Sequence, residues 1–193
     1  MKTFVVVEGQ GEETAVPVLL RRLKVEHGVS VELVGRPWRE PRNRMMKKEH
    51  LGPILQVARA RAEAVLLILD ADDDCVVELA GLARTVADEV ATGLRVVVVA
   101  AVREFDAWFL AGAHSLRWKR GLPVDLERPA NAETIRDAKG WLSERMRNRY
   151  SPTLDQPALT AVLDLAEAQA HSRSFRKLMK ELSLLGQPPS RAS

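Results

Sequence analysis

The sequence has 193 residues, of which 46% are hydrophobic and 28% are charged, and its formal net charge is +3. This balance is typical of a single globular domain and excludes a disordered or fibrous chain. A single cysteine, Cys75, excludes an intramolecular disulfide and a cysteine-rich zinc site.

The N-terminal segment carries no sign of a targeting or membrane-spanning sequence. Its apolar run covers only residues 4–7 and is followed by acidic residues. A signal-peptide core is longer than this, and a membrane span needs about 20 apolar residues, which no stretch of the sequence approaches. We therefore expect a cytoplasmic protein that does not contact a membrane.

Four apolar, β-rich runs alternate with three segments of helical periodicity. The predicted strands cover residues 4–7, 29–34, 64–69 and 94–102, and the predicted helices between them cover residues 13–25, 46–63 and 76–91. The last two runs are continuously apolar, as strands buried on both faces of a parallel sheet are. The alternation predicts an α/β, Rossmannoid fold with a mainly parallel four-stranded sheet sandwiched by helices.

The second half of the chain is predicted to be helical. A short helix at 104–113 is followed by a loop at 115–130 and by helices at 132–149, 156–170 and 174–185. We expect an α/β core at 1–114 and a loop and helical extension at 115–193 packed on it, within one domain overall. The arginines at 145, 147 and 149 are interpreted as ordinary surface residues of a helix.

Carboxylates follow three of the four predicted strands. Glu8 and Glu12 follow the first strand, Asp70 and Asp72 the third, and Glu104 and Asp106 the fourth. The carboxyl ends of parallel strands meet at one edge of a sheet, where ligands bind. Carboxylates so close together repel one another unless a cation neutralises them, and an all-oxygen donor set indicates Mg²⁺ or Mn²⁺.

Some of these acids fit a shared metal site, whereas others have a simpler interpretation. Asp70 and Asp72 are two residues apart, so in an extended chain their side chains point the same way. Asp73 and Asp74, by contrast, precede a predicted helix, and Glu13 begins another. Acids at these positions favour helix capping and the helix dipole rather than a ligand, and we interpret Asp74 and Glu13 in this way.

A basic segment surrounds one tryptophan between the second strand and the second helix. Such a segment is typical of a surface that binds phosphates and stacks a base, although a solvated loop whose tryptophan packs on the domain remains an alternative. Lys177 is a further candidate for a phosphate contact, or an ordinary surface lysine. The candidate nucleic-acid-binding residues of the segment are Trp38, Arg39, Arg42, Arg44, Lys47 and Lys48, with Arg36 beside them.

Four motifs together resemble a known family. They read VEGQGEETAVPVLL, LDADDDC, VREFDAWFLA and SFRKL in chain order. In this order they resemble the family called domain of unknown function 4276, which comprises stand-alone bacterial Toprim-like proteins related to the Toprim domain of OLD-family nucleases. The resemblance covers roughly residues 4–180.

The resemblance implies roles for individual residues. In Toprim enzymes the glutamate after the first strand is the general acid/base and an Asp-x-Asp pair binds Mg²⁺, which implies Glu8 for the first role and Asp70 and Asp72 for the second. Glu12 and Glu104 match further acids of the family and, with Glu8, are expected to share the Mg²⁺ or Mn²⁺ ion. Asp106 stands where we would expect a glutamate. The resemblance also implies an ATPase partner protein in genome defence.

The sequence therefore favours a Mg²⁺- or Mn²⁺-dependent nuclease, or a related phosphoryl-transfer protein, acting on nucleic acid. A metal polarises the phosphate, and a carboxylate beside it moves a proton. The chain has no Gly-Lys-Ser/Thr sequence, which excludes a P-loop ATPase. A non-catalytic Toprim-like adaptor that binds a partner is the main alternative, and a receiver-like phosphoacceptor domain is a third. The oligomeric state stays open.

Overall fold

The computed structural model describes residues 1–91 and 93–186. Its sheet has the order β2-β1-β4-β5, with β3 also beside β1, and every pairing is parallel. The predicted α/β fold with a mainly parallel sheet between helices is therefore confirmed. The strands are β1 (Lys2–Val7), β2 (Glu32–Leu33), β3 (Trp38–Arg39), β4 (Ala64–Asp70) and β5 (Arg95–Ala101).

The helices surround this sheet, and short 3₁₀ turns connect several of them. No helix among the described residues has the length and apolarity that crossing a membrane requires. The end of the predicted extension, residues 187–193, lies outside the described residues. The helices are α1 (Glu12–His27), α2 (Arg42–Met45), α3 (Lys48–Arg59), α4 (Val76–Val90), α5 (Ala107–Ala111), α6 (Ala138–Arg145), α7 (Pro152–Thr160), α8 (Leu165–His171) and α9 (Arg173–Leu185).

The sheet has five strands where the sequence predicted four. β2 pairs with Lys2 and Thr3, and β3 pairs with Val6 and Val7, so two short strands follow one another along the same edge of β1. Two residues are too few to show the alternation that identifies a strand in a sequence. The basic segment between the second predicted strand and the second predicted helix therefore contains both β3 and α2.

The apolar side chains of the sheet divide into two layers. Val5 and Val7 of β1 face the layer that α1 and the C-terminal helices cover, whereas Phe4 and Val6 face the layer of α3 and α4. β4 is buried along its whole length, because both of its faces are covered. The helices after residue 115 thus share one hydrophobic layer with α1 and hold their loops against the carboxyl edge of the sheet.

The loops after β4 and β5 stay paired beyond the end of the sheet. The Ala71 N–H donates to the Ala101 carbonyl at 3.0 Å, and the Asp72 N–H donates to the Arg103 carbonyl at 2.8 Å. Asp72 and Arg103 both have positive φ, 49° and 66°. Non-glycine residues adopt this conformation at a cost, and it concentrates at functional sites, so the two loops are held in a specific shape.

Candidate functional site

Strands β1 and β4 bring Glu8 and Asp70 to the same edge of the sheet. The backbone N–H of Asp70 donates to Glu8 Oε2 at 3.3 Å. Asp70 Oδ1 accepts a hydrogen bond from the Phe105 N–H at 2.7 Å, which ties it to the loop after β5. Asp70 is buried and Glu8 is half-buried. Two of the predicted carboxylates therefore lie together.

Glu12 folds back from the first turn of α1 onto the end of β1. Its carboxylate accepts hydrogen bonds from the N–H groups of Glu8, at 3.3 Å, and Gly9, at 3.2 Å. A Cβ on residue 9 would lie 2.7 Å from Glu12 Oε1. A side chain at this position would displace the Glu12 carboxylate, a reason for glycine different from the close approach of a phosphate that a glycine also permits.

Glu104 lies in the loop after β5 and forms an ion pair that the sequence did not reveal. The Lys139 ammonium is 2.6 Å from Glu104 Oε2 and 3.5 Å from Asp106 Oδ2. The N–H of Ala138 donates to the other oxygen of Glu104 at 3.2 Å. The start of α6 thus places a lysine against two carboxylates, although nothing in the sequence around Lys139 distinguishes it from a surface lysine.

Asp106 is fully buried and belongs to the same group of acids. The Tyr150 hydroxyl donates to Oδ1, and Gln156 Nε2 donates to Oδ2 at 2.8 Å. Burial and the adjacent charge of Asp106 raise the pKa of Tyr150, so its hydroxyl stays protonated and acts as a donor. Glu8, Glu12, Asp70, Glu104 and Asp106 are called the carboxylate cluster below.

Asp72 lies at the exposed rim of this cluster, where its charge adds to the rise in the pKa of Glu8. The strand ends at Asp70, and the positive φ of Asp72 turns the chain, so the expected extended alternation through Asp72 is wrong. Its side chain is 59% exposed and pairs with Arg42 at 3.2 Å. Arg42 also donates to the Asp70 carbonyl at 2.9 Å and contacts Asp74 at 3.2 Å. A guanidinium therefore neutralises the loop beside the cluster.

The expected helix capping by acids is wrong at both helices. The N-cap of α4 is Cys75, and that of α1 is Gly11; neither cap has a side-chain hydrogen bond. The carboxylate of Asp74 is drawn away by Arg42. Glu13 lies in the first turn of α1, where a negative charge interacts favourably with the helix dipole without accepting a capping hydrogen bond.

Burial is the main influence on the acids of the cluster. It raises the pKa of Asp70 to about 7, although the charge of Lys139 and the N–H of Phe105 act in the opposite direction. Burial also raises the pKa values of Glu8, Glu12 and Asp106, and for Glu12 the charges of Asp70 and Asp106 add to the effect. The cluster thus carries more negative charge than its neighbouring cations stabilise.

The donor chemistry of the cluster fits a hard divalent cation. All of its donors are oxygens, and in the described part of the chain no hydrogen-bond donor reaches Asp70 Oδ2. Within residues 1–91 and 93–186 no three His, Cys, Asp or Glu side chains are arranged to hold a metal ion together. Mg²⁺ commonly binds through one or two carboxylates and completes its shell with water and substrate phosphates, so a pair such as Glu8 and Asp70 would be enough for it.

The basic segment lies at the same edge, because β3 pairs with the last residues of β1. Trp38 is 42% exposed, which disagrees with the alternative that it packs on the domain, and its indole N–H donates to Glu40 at 3.4 Å. Several of the basic side chains are already paired within the protein. Arg42 binds the acidic loop, Arg44 pairs with Glu40 and Lys48 pairs with Glu89, whereas Arg36, Arg39 and Lys47 are exposed.

Lys177 lies away from the carboxylate cluster. It is on α9, where its ammonium is 2.6 Å from Glu181, and it lines a groove of about 560 Å³ beside β5. No described contact joins it to the acids at the carboxyl edge of the sheet. The structure therefore does not bring this predicted phosphate contact to the other site residues.

The fold and the cluster together define a class: a parallel α/β protein with buried acids at the carboxyl edge of its sheet. The chain belongs to the family described as domain of unknown function (DUF4276), which matches residues 7–183. The family named by the resemblance is thereby confirmed. No curated protein matches the chain.

Solved structures of one protein are similar to the chain. They are structures of the C-terminal region of the Xanthomonas campestris pv. campestris OLD protein. The structure phased with iodine is 15% identical, with a TM-score of 0.45, and the match covers 95% of each chain. The structure phased with mercury is 13% identical, with a TM-score of 0.41, and the match covers 96% of this chain and 98% of that one.

Proposed function

We propose that the chain is a Mg²⁺- or Mn²⁺-dependent phosphodiesterase that acts on nucleic acid, with a Toprim-like core. The observation that carries this proposal is the group of acids with raised pKa values at the carboxyl edge of the sheet, namely Glu8, Glu12, Asp70 and Asp106. Buried carboxylates destabilise a fold unless a cation balances them. A divalent ion beside Asp70 supplies that balance.

The proposed roles follow from the contacts of each side chain. Glu8 and Asp70 hold the ion, which when bound polarises the phosphate and stabilises the leaving oxygen. Burial raises the pKa of Glu8, which brings this carboxylate closer to a proton-transfer role near neutral pH. Lys139 fixes Glu104 and Asp106, and Arg42 keeps positive charge at the rim. Glu12 holds the turn between β1 and α1.

The substrate class follows from the basic residues at the same edge. Arg39 and the half-exposed Trp38 lie beside the end of β1, next to Glu8. Exposed cations bind phosphates, and an exposed indole stacks on a base. An ATPase partner belongs to the same proposal, because the family resemblance implies one and the sequence lacks a P-loop of its own.

One observation favours the second candidate, a non-catalytic adaptor. Lys139 contacts two carboxylates of the cluster and supplies part of the positive charge that an ion would supply. A cluster balanced by its own lysine serves as a structural network that holds the loops in place for a partner. The two candidates differ in whether the protein binds metal and cleaves nucleic acid.

Metal titrations followed by thermal melts separate the candidates. A metal ion present at a concentration about 100 times its Kd adds about 2.7 kcal/mol to the free energy of unfolding. At this chain length that increase raises Tm by about 5–11 °C. We expect the wild type and the Asp125→Asn control, whose carboxylate is exposed, to show this shift with Mn²⁺, and Asp70→Asn to lose it. An equal shift in all three proteins would place the ion elsewhere.

Cleavage is measured with labelled single-stranded DNA, duplex DNA and RNA, with Mg²⁺ or Mn²⁺, in the presence and absence of the ATPase partner. The phosphodiesterase is supported if the wild type cleaves a substrate and the Asp70→Asn variant does not. Metal binding at Asp70 without cleavage under any of these conditions supports the adaptor.

A further inference from the structure

The surface around residues 117–121 and 146–151 carries a basic groove that the function proposed above does not use. The groove has a volume of about 410 Å³. The predicted helix over 132–149 ends at Arg145, and Met146 is already extended, with ψ of 148°. The arginines that follow are therefore displayed on an irregular segment rather than along a helix. The groove is lined by Arg120, Gly121, Met146, Arg147, Asn148, Arg149, Ser151, Leu154 and Asp155.

The charge of this groove is positive and largely unneutralised. Arg147 and Arg149 are exposed, and within residues 1–91 and 93–186 neither forms an ion pair. Arg120 pairs with Asp155 at 2.7 Å, and Asp155 is the only acid that lines the groove. Exposed, unpaired guanidinium groups in a concave surface attract a polyanion and bind its phosphates through several donors at once.

Trp118 is an exposed aromatic residue two positions before Arg120, which lines the groove. It is 74% exposed, in a chain whose aromatic content is only 5%, and no described contact buries its ring. Trp118 and Arg120 both have positive φ, 66° and 52°, and Gly121 follows at 81°. A segment that holds two non-glycine residues in this conformation presents the indole and the guanidinium at fixed positions.

The segment that lines one side of the groove also contacts the carboxylate cluster. Tyr150 and Gln156, which both donate to Asp106, flank Ser151 and Asp155 on the chain. The first turn of α7 also lies against the turn after β1, because a Cβ on Gly11 would be 2.5 Å from the Pro152 carbonyl oxygen. The segment 150–156 therefore connects the groove to the cluster.

We propose that this groove binds a single-stranded nucleic acid, with phosphates on Arg147, Arg149 and Arg120 and one base stacked on Trp118. A single strand fits because its bases are free to stack on an exposed ring, whereas those of a duplex are not. The inference rests on the proposed function in one respect, namely that the bound strand is the substrate of the carboxylate cluster. Binding itself requires neither metal nor cleavage.

The test is fluorescence anisotropy with labelled single strands of about 12 nucleotides, a length within the range that one binding module covers. DNA and RNA strands are compared in EDTA over a series of salt concentrations, with polyglutamate as an acidic competitor. The variants are the double substitution Arg147→Gln/Arg149→Gln and the single substitution Trp118→Ala. The control is Arg95→Gln, which changes an exposed arginine at the N-terminal end of β5, the end opposite the carboxylate cluster. Thermal melts verify that each variant is folded.

The variants are expected to fail in different ways. The double arginine variant should raise Kd at least tenfold and reduce the slope of log K against log salt by about 1.4, since each phosphate contact of a single strand contributes about 0.7. Trp118→Ala should raise Kd by about tenfold with the slope unchanged, because stacking releases no counterions. Arg95→Gln should bind as the wild type does.

The outcomes for the groove and for the proposed function are distinguishable. Wild-type binding that both groove variants weaken supports the groove even if no protein cleaves any substrate. Cleavage by the wild type with unchanged strand binding in both variants overturns the groove and leaves the phosphodiesterase intact. The groove proposal is also overturned if the wild type binds no strand. It is overturned as well if polyglutamate displaces the strand equally well from the wild type and from Trp118→Ala, because Trp118 would then contribute nothing to binding.

Discussion

Replacement of Asp70 by asparagine should stabilise the protein in the absence of divalent metal. Asp70 is buried at the end of β4, and its Oδ1 accepts from the Phe105 N–H at 2.7 Å. The amide oxygen of asparagine can keep this hydrogen bond, while its NH₂ group replaces Oδ2. The substitution thus removes a buried negative charge beside Glu8 and Glu12 without removing the contact to the loop after β5.

The magnitude follows from the pKa of Asp70, which burial raises from 3.8 to about 7. Between these two values the folded chain binds the proton more strongly than the unfolded chain, so the free energy of unfolding falls as pH rises and is lowest above about pH 7. The difference corresponds to at most about 4 kcal/mol. Because Glu8, Glu12 and Asp106 share the charge, we expect about 2 kcal/mol, or about 4–8 °C in Tm.

The assay is urea denaturation in EDTA at about pH 5 and about pH 8, since the two values lie inside and above the interval in which Asp70 titrates. Asp70→Asn should exceed the wild type clearly at the higher pH and much less at the lower one. Asp125→Asn, the same chemical change on an exposed side chain, should change stability by less than about 0.5 kcal/mol. A variant less stable than the wild type at the higher pH would refute the reasoning.

Three further substitutions test individual contacts of the cluster. Glu8→Gln should retain part of the Mn²⁺ affinity and lose about 10²–10⁴ in cleavage rate, measured in single-turnover reactions, and an undiminished rate would exclude Glu8 as the proton-transfer group. Tyr150→Phe should lower the free energy of unfolding, measured by urea denaturation, by about 1–3 kcal/mol, because Asp106 loses a buried hydrogen-bond donor. Lys139→Met should lower the free energy of unfolding by about 1–3 kcal/mol. This is less than the loss expected for a fully buried ion pair, because the lysine side chain is 39% exposed. This cost should decrease at low pH as Asp106 is protonated.

The alternation of apolar runs was sufficient to predict the sheet and the edge at which the acids lie. The strands at 64–70 and 95–101 are continuously apolar, and such runs are recognisable without any tertiary information. β3 was missed, since a two-residue strand is defined by its partner β1 and not by its own sequence. The same holds for the three 3₁₀ turns, whose conformation depends on what surrounds them.

The acids of the site were predictable, but their partners were not. Glu8 and Asp70 follow strands, so parallel topology alone brings them to one edge. Lys139, Tyr150 and Gln156 contact the cluster from more than 30 residues away in sequence. Only the packing of the C-terminal helices on α1 places them there, and no spacing in the sequence records it. The extended conformation expected through Asp72 was wrong for a local reason, the positive φ that turns the chain there.

The balance of charge at the cluster bears on the choice between the two proposed functions. Lys139 contacts Glu104 and Asp106, whereas Asp70 and Glu12 have no lysine or arginine within ion-pairing distance in the described chain. Lys139 contacts Asp106, the most deeply buried acid of the cluster, and its charge also acts to lower the pKa of Asp70. Burial nevertheless raises the pKa of Asp70 to about 7 and also raises the pKa of Glu12, so the neighbouring cations compensate only part of the negative charge. The proposed phosphodiesterase would use this remaining charge to bind an ion, whereas the proposed adaptor leaves it unbalanced, and the metal titration of Asp70→Asn distinguishes the two.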